Sequence, residues 1–332
     1  MGKRQTQAAQ RQRRRAELIY YLRQRNIPIK YQYLGIGARR FDRLSRSPRY
    51  IAQSELGLLK EQTGELLTEV KQSVLRSPPK AINIIDIGCG NGEKAAVLIR
   101  WALDVFPDIS VRYVALDISA GMRKIAKQTV TDKFNRKASR VEVISKTIDF
   151  EEENLLRPLW RFRQDEQALN LFLFLGNTLG NVRDPRGLLV KIAMAMRARD
   201  WLLLGLELGI SHVSRALLEV YSDPLHVEFL STALRPFNIK PEAGKGRGHG
   251  LIRPEINSDE NIEIRFKFTH PSPAIRANGE ELRFNVGEYI VLAESRRFQT
   301  PELCSLLSKS RLTVARKAQK ESGSAVYLCR SS

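Results

Sequence analysis

Apolar residues fall into two rhythms along this chain. From Ile82 onward, unbroken apolar runs alternate with stretches of helical spacing, the alternation that a parallel sheet with crossover helices requires. Strands are expected at 82–87, 111–117, 141–146, 170–176 and 201–208, and helices at 92–105, 119–134, 184–198 and 213–222. The run LNLFLFLG is apolar at almost every position, which suits a strand in the middle of a sheet covered on both faces.

The flanking regions follow other patterns. Residues 1–26 are polar, rich in Arg and Gln, and are expected to be frayed or helical without a core of their own. NIPIKYQY is interrupted by Pro28 and reads as an extended entry into the fold. Helical spacing returns from Phe41 to Val70, where Leu56, Leu59, Leu66, Leu67 and Val70 can share a face, and Ser54 is placed to cap a helix starting at Glu55. Gly57 and Gly64 weaken that helix, and Ser77-Pro78-Pro79 marks its boundary. Residues 223–283 break the alternation with Pro224, Pro236, Pro241, the basic run GKGRGHG at 244–250, Pro254, Pro271 and Pro273. An insertion of short strands and mobile loops is expected there. The apolar pattern resumes with FNVGEYIVLAES, followed by a helix at 301–308 and strands near 311–316 and 324–329. The resulting organisation is a basic tail (1–25), a helical N-terminal part (26–78), an alternating α/β core (79–222), an insertion (223–283) and a C-terminal return to the core sheet (284–332).

The chemistry concentrates in INIIDIGCGNGEK, residues 82–94. Gly88, Gly90 and Gly92 occupy alternate positions where strand passes to helix, so a ligand can lie against bare peptide at the strand's carboxyl end. A glycine triplet alone fits a tight turn equally well. The spacing here is G-x-G-x-G, with Glu93 where a dinucleotide loop would place its last glycine; Asp86 precedes the first glycine, and the next strand, VRYVALD, ends in Asp117. A carboxylate at that strand tip can accept both hydroxyls of a ribose. The combination indicates a site for S-adenosyl-L-methionine (SAM).

Composition adds one departure from the ordinary. Of the net charge of +19, residues 1–50 carry +12, with fourteen Lys or Arg against Glu17 and Asp42. Such a segment suits either a solvated helix or an anionic partner, nucleic acid or a membrane surface. No run of eighteen apolar residues and no secretory pattern is present, and a cytoplasmic location is expected. Cys89, Cys304 and Cys329 are too few and scattered for a disulfide framework, and His212, His226, His249 and His270 lack metal-ligand spacing.

Several blocks taken together resemble one family. GxGxxEK at Gly88–Lys94, LD at 116–117, DFEE at 149–152, FLGNTLGN at 174–181, LLLG at 202–205 and GEYIVLAESRRF at 287–298 are similar to the histidine-specific, SAM-dependent methyltransferases, whose best-known member makes trimethylhistidine on the way to ergothioneine. KYQYLGIGARRFDRLSRSPRY resembles that family's opening segment, and the resemblance covers roughly residues 26–332.

The resemblance implies an α/β fold: a Rossmann-like class I methyltransferase core, with a seven-stranded, mostly parallel sheet that binds SAM through residues 79–222, and an added substrate lobe made of residues 26–78 and completed by the insertion 223–283. It implies SAM held by Gly88, Gly90, Lys94, Asp117, Asp149 and Phe150, and an amino-acid acceptor held by Tyr50, Asn181, Tyr221 and Ser295, with Tyr33 and Phe41 lining the pocket. Tyr33, Asn181 and Glu294 are positional candidates for acid-base work. The family's imidazole-binding acid stands two places before the motif serine, and here that place is Ala293. The implied activity is N-methylation of an amino-acid-like small molecule. Two alternatives stay open: methylation of RNA or an RNA-bound protein through the basic segment, and binding of SAM or a partner without catalysis.

Overall fold

The computed structural model describes residues 2–50, 52–209, 215–242, 248–257, 261–277 and 280–331, with the side chains of 2–11 and 215–217 excluded. In chain order, helices α1 (Gly2–Arg23), α2 (Gly37–Ser45), α3 (Gln53–Leu66) and α4 (Thr68–Arg76) lead into strand β1 (Ala81–Ile87). Then come α5 (Glu93–Val105), β2 (Ser110–Asp117), α6 (Ala120–Phe134), β3 (Val141–Thr147), α7 (Leu156–Gln164), β4 (Ala168–Phe174), α8 (Pro185–Ala195) and β5 (Trp201–Glu207). After α9 (Arg215–Val220) and α10 (Pro224–Leu230) follow β6 (Gly250–Ile256), β7 (Ile262–Phe268), β8 (Ile275–Ala277), β9 (Glu280–Leu282) and β10 (Tyr289–Ser295). The chain ends with α11 (Thr300–Lys309), β11 (Leu312–Gln319) and β12 (Ser324–Ser331). Two compact units result, Met1–Leu44 with Ser214–Arg296, and Ser45–Val213 with Arg297–Ser332.

The second, larger unit is built on a seven-stranded sheet of order β11-β12-β5-β4-β1-β2-β3. Strands β1 to β5 run parallel, and the β11–β12 hairpin joins β5 antiparallel. Every residue of β1, β4 and β5 is buried, because helices cover both faces as the continuous apolar runs require. One face packs Ile84, Tyr113, Leu173 and Leu203 under Leu58, Leu66, Val70, Leu98 and Val130 of α3 to α6. The other packs Ile85, Leu116, Phe172 and Leu204 under Leu159, Leu189, Ile192 and Leu303 of α7, α8 and α11. The edge strand β3 is instead only partly buried and alternates in exposure. Polar side chains inside the sheet satisfy one another: Asn83 donates to Asn170 at 2.7 Å, Asn170 donates to Asp200 at 2.9 Å, and Arg197 pairs with Asp200 at 2.9 Å. With β4 and β2 on opposite sides of β1, the strand order reverses direction at β1, the position where open α/β sheets place their ligands. This is the expected Rossmann-like class I architecture.

The first unit has its own core. Strands β10, β7 and β6 form an antiparallel sheet, and β8 pairs with β9. Phe266, Phe268 and Phe284 fill it, with Phe268 and Phe284 stacked at 4.9 Å. Residues 25–27 are tied to β10 by backbone bonds between Val291 N and Arg25 O and between Ile27 N and Val291 O.

Four expectations change. The C-terminal part of α1 is packed rather than a free tail: Leu18, Ile19 and Leu22 are buried, whereas residues 12–16 are exposed. Helices α3 and α4 belong to the sheet unit rather than to the lobe, because their apolar faces pack on β-sheet residues. Strand β10 does not return to the core sheet but pairs with β7; the return begins at Arg297. Ala52, not Ser54, is the residue before α3, and Ser54 shares a hydrogen bond with Ser322 instead. Residues 244–247 of the basic glycine run and the start of the 213–222 helix lie outside the described residues.

The basic residues of the first fifty are partly committed within the protein. Arg13 pairs with Glu17, Arg23 with Glu280, Arg25 with Glu288, and Arg40 and Arg43 with Glu228. Arg15 lies over the Phe237 ring. No helix among the described residues is long and apolar enough to cross a membrane.

Candidate functional site

In the sheet unit the turn after β1 is made from backbone that only glycine adopts readily. Gly88, Gly90 and Gly92 have φ of 72°, 50° and 78°, in the left-handed region. The Gly88 and Cys89 amides both donate to the Leu116 carbonyl, at 2.9 and 3.2 Å, which fastens the turn to the end of β2. A side chain on Gly92 would lie 3.0 Å from the Ala126 carbonyl oxygen, so α5 and α6 approach through this glycine. At Gly88 a Cβ would stand 3.5 Å from the Phe150 ring and 3.9 Å from the Thr178 methyl. Phe150, which meets Phe174 edge-on at 5.8 Å, is thereby brought beside the bare face of Gly88.

Asp117 ends β2, and its carboxyl accepts the Ser119 amide at 2.7 Å while Arg123 holds the Asp117 carbonyl at 2.6 Å. Burial pushes the carboxyl up to about 6, against the pull of Ser119 and Arg123. Asp86 receives the Tyr113 hydroxyl at 2.9 Å, and burial raises its carboxyl to about 7. Asp149 forms the turn after β3: its amide donates to Glu153 at 2.8 Å, and its carboxyl accepts the Glu151 amide at 3.3 Å. Lys94, in the first turn of α5, pairs with Glu55 at 3.1 Å.

A second group of residues surrounds the ends of β4 and β5. Asn177, at φ 58°, accepts the Glu207 amide at 3.1 Å. Glu207 receives the Ser324 hydroxyl, and burial raises it to about 7. Asn181 closes the short 3-10 turn Thr178–Asn181 and is half-buried. Tyr50 is half-buried in the loop before α3, its amide donating to Ser47. Glu55 and Glu207 carry no motif and were not anticipated from the sequence. A first-turn glutamate is ordinary for a helix, and Glu207 follows an apolar run as any strand-ending residue does.

The remaining anticipated residues lie in the first unit. Tyr33, Phe41 and Phe229 form an aromatic triangle with centroids 4.8, 4.9 and 5.3 Å apart. Tyr221 is buried against His226, which burial lowers to about 4. On β10 the register shifts between Val291 and Ala293 and then runs regularly through Ser295. Ala293 and Ser295 are buried and Glu294 is half-buried, so Glu294 faces away from its neighbours. The bulge therefore comes too early to turn Glu294 onto the Ser295 face, and its carboxyl accepts the Asn261 amide at 3.3 Å.

The larger unit's residues fit an adenosyl ligand chemically: a buried carboxyl at the β2 tip, an aromatic ring beside bare backbone, and an ammonium at the first turn of α5. The sequence profile of the histidine-specific, SAM-dependent methyltransferases matches residues 14–331. A histidine N-alpha-methyltransferase of Mycobacterium tuberculosis is 29% identical over 224 residues, 66% of this chain, and the match spans 62% of that protein's length. One from Mycolicibacterium smegmatis is 26% identical over 295 residues, covering 87% of this chain and 84% of the relative. Among solved structures, a SAM-dependent methyltransferase from Clostridium acetobutylicum overlaps 80% of this chain and 90% of its own at 11% identity and a TM-score of 0.41.

Proposed function

Because the chain belongs to the histidine-specific, SAM-dependent methyltransferase family, we propose that it N-methylates the amine of a free amino acid or a close analogue. The observation carrying this is the family match across residues 14–331, which includes both the glycine loop and the FLGNTLGN block. SAM, when bound, supplies an electrophilic methyl group on a sulfonium. Asp117 would hold the ribose, Asp149 and Phe150 the adenine, Gly88 and Gly90 the bare surface beside it, and Lys94 the carboxylate.

Acceptor recognition is assigned by motif position to Tyr50 and Asn181 in the sheet unit, and to Tyr33, Phe41, Tyr221 and Ser295 in the other. Amide and phenol groups orient an amino acid's carboxylate and amine without adding charge. An ammonium has no lone pair, so the amine must lose its proton before transfer. After that the protein's work is alignment and exclusion of water. Ala293 is buried and apolar where the family places an imidazole-binding acid, which favours an acceptor whose side chain needs no carboxylate partner. Incubation with labelled SAM and a panel of amino acids, histidine included, tests the reading. Transfer to at least one amino acid is expected, and no transfer to any amino acid or simple amine would overturn it.

A further inference from the structure

Glu55 lies in the first turn of α3, and its side chain is 1% exposed. Both carboxyl oxygens accept the Gly176 amide, at 3.1 and 2.9 Å. One of them also stands 3.1 Å from Lys94 Nζ. Two glycines make room for this arrangement. A Cβ on Gly205 would come within 2.3 Å of the Glu55 carboxyl, and one on Gly176 would stand 3.3 Å from Lys94 Nζ.

The carboxyl of α3 thus reaches over β5 to the end of β4 and holds a lysine that projects from α5. A first-turn glutamate usually stays in water near the helix N-terminus. Burying a charge without a partner is costly, so the site is built for the pair. We propose that Glu55 is a positioning residue that presets Lys94 for the carboxylate of the cofactor; this rests on the cofactor reading of Lys94. A lysine loses much rotamer freedom when it is held for one ligand group. Glu55 removes that freedom before the ligand arrives, which is the advantage of preorganisation. An ammonium has three donors, and Glu55 engages one. Lys94 keeps 21% of its side-chain surface exposed, so it remains reachable. Glu55, buried beneath Lys94 and Gly176, acts through the lysine.

A double-mutant cycle tests this by calorimetry with S-adenosylhomocysteine as the probe. Lys94→Ala is expected to weaken binding roughly ten- to hundredfold, the range for a lost charge-assisted hydrogen bond. Glu55→Gln keeps an oxygen for the Gly176 amide and is expected to weaken binding about five- to tenfold, through lost preorganisation alone. In the Lys94→Ala background, Glu55→Gln should change affinity less than about twofold. In turnover, the same variant should raise KM for SAM and leave kcat within about twofold, because the lost contact is made equally in ground and transition states. Glu55→Asp, which keeps the charge but withdraws it by one methylene, serves as the second variant if Glu55→Gln does not fold, with the same KM-against-kcat split expected. Equal effects of Glu55→Gln in both backgrounds, or none in the first, would overturn the positioning role. Unchanged affinity in Lys94→Ala would instead overturn the cofactor role of Lys94, and the inference with it.

Discussion

Replacing Asp86 with Asn should make the protein less sensitive to alkali. Asp86 is buried, and its carboxyl stands at about 7 rather than 3.8, chiefly because burial disfavours the charged form, with the Tyr113 hydroxyl and Lys94 opposing and Asp117 and Glu55 adding. The folded state therefore binds this proton more tightly than the unfolded chain. The stability linked to it is fully present below about pH 4 and is lost as pH rises through about 7. Between pH 6 and 8, the folded protein releases nearly one proton that the unfolded chain has already lost, which corresponds to about 1.4 kcal/mol. For a unit of this size, that amounts to roughly 3–6 °C in Tm. Asn is isosteric, and its amide oxygen still accepts the Tyr113 hydroxyl. Thermal unfolding of wild type and Asp86→Asn at pH 6 and pH 8 should therefore show a smaller alkaline decrease in the variant, by that amount. Glu207, raised to about 7 by its own burial, remains in both proteins, so some decrease persists. Equal decreases in the two proteins would refute the argument and with it the claim that Asp86 takes up its proton because it is buried.

Four further outcomes follow from the same geometry. Asp117→Ala should weaken S-adenosylhomocysteine binding roughly ten- to hundredfold by calorimetry, the range for lost hydrogen bonds to a charged acceptor. Gly92→Ala should cost about 1–2 kcal/mol in chemical denaturation, because φ is +78° and the new Cβ would press on the Ala126 backbone. Asp200→Ala leaves Arg197 and Asn170 without their shared acceptor and should cost about 3–5 kcal/mol, also by denaturation. Deleting residues 1–25 removes the buried Leu18, Ile19 and Leu22, each contributing about 1.5–3 kcal/mol. The truncated protein should therefore show a lower first thermal transition, rather than the native stability expected for loss of a solvated tail.

What the sequence revealed and what it hid follow from how locally each feature is encoded. Strands β1, β4 and β5 were legible because both of their faces are covered and their apolar runs are continuous. Asn83 and Asn170 do not interrupt those runs, since each finds the other inside the sheet. The glycine turn after β1 and the place of Asp117 at the end of β2 were legible because each is encoded in a short segment at a strand end. Strand β10 was assigned to the wrong sheet because YIVLA reads as an interior strand in either, and no residue in it names its neighbour. Glu55 was hidden for a related reason. Its meaning depends on Gly176, 121 residues away, and on Gly205, a glycine within an apolar run.

The antiparallel placement of β12 bears on how the chain is made. β12 lies between β5 and β11, and Ser324 of β12 is 117 residues beyond Glu207 of β5. During synthesis at about 5–20 residues per second, the β5 edge therefore waits on the order of ten seconds for its partner. In that interval a strand that is apolar at all but its last position presents unpaired amides and carbonyls to other nascent chains. The ribosome-bound protein is thus a natural client for holding chaperones, and messages truncated before residue 324 should yield aggregates rather than a smaller folded core.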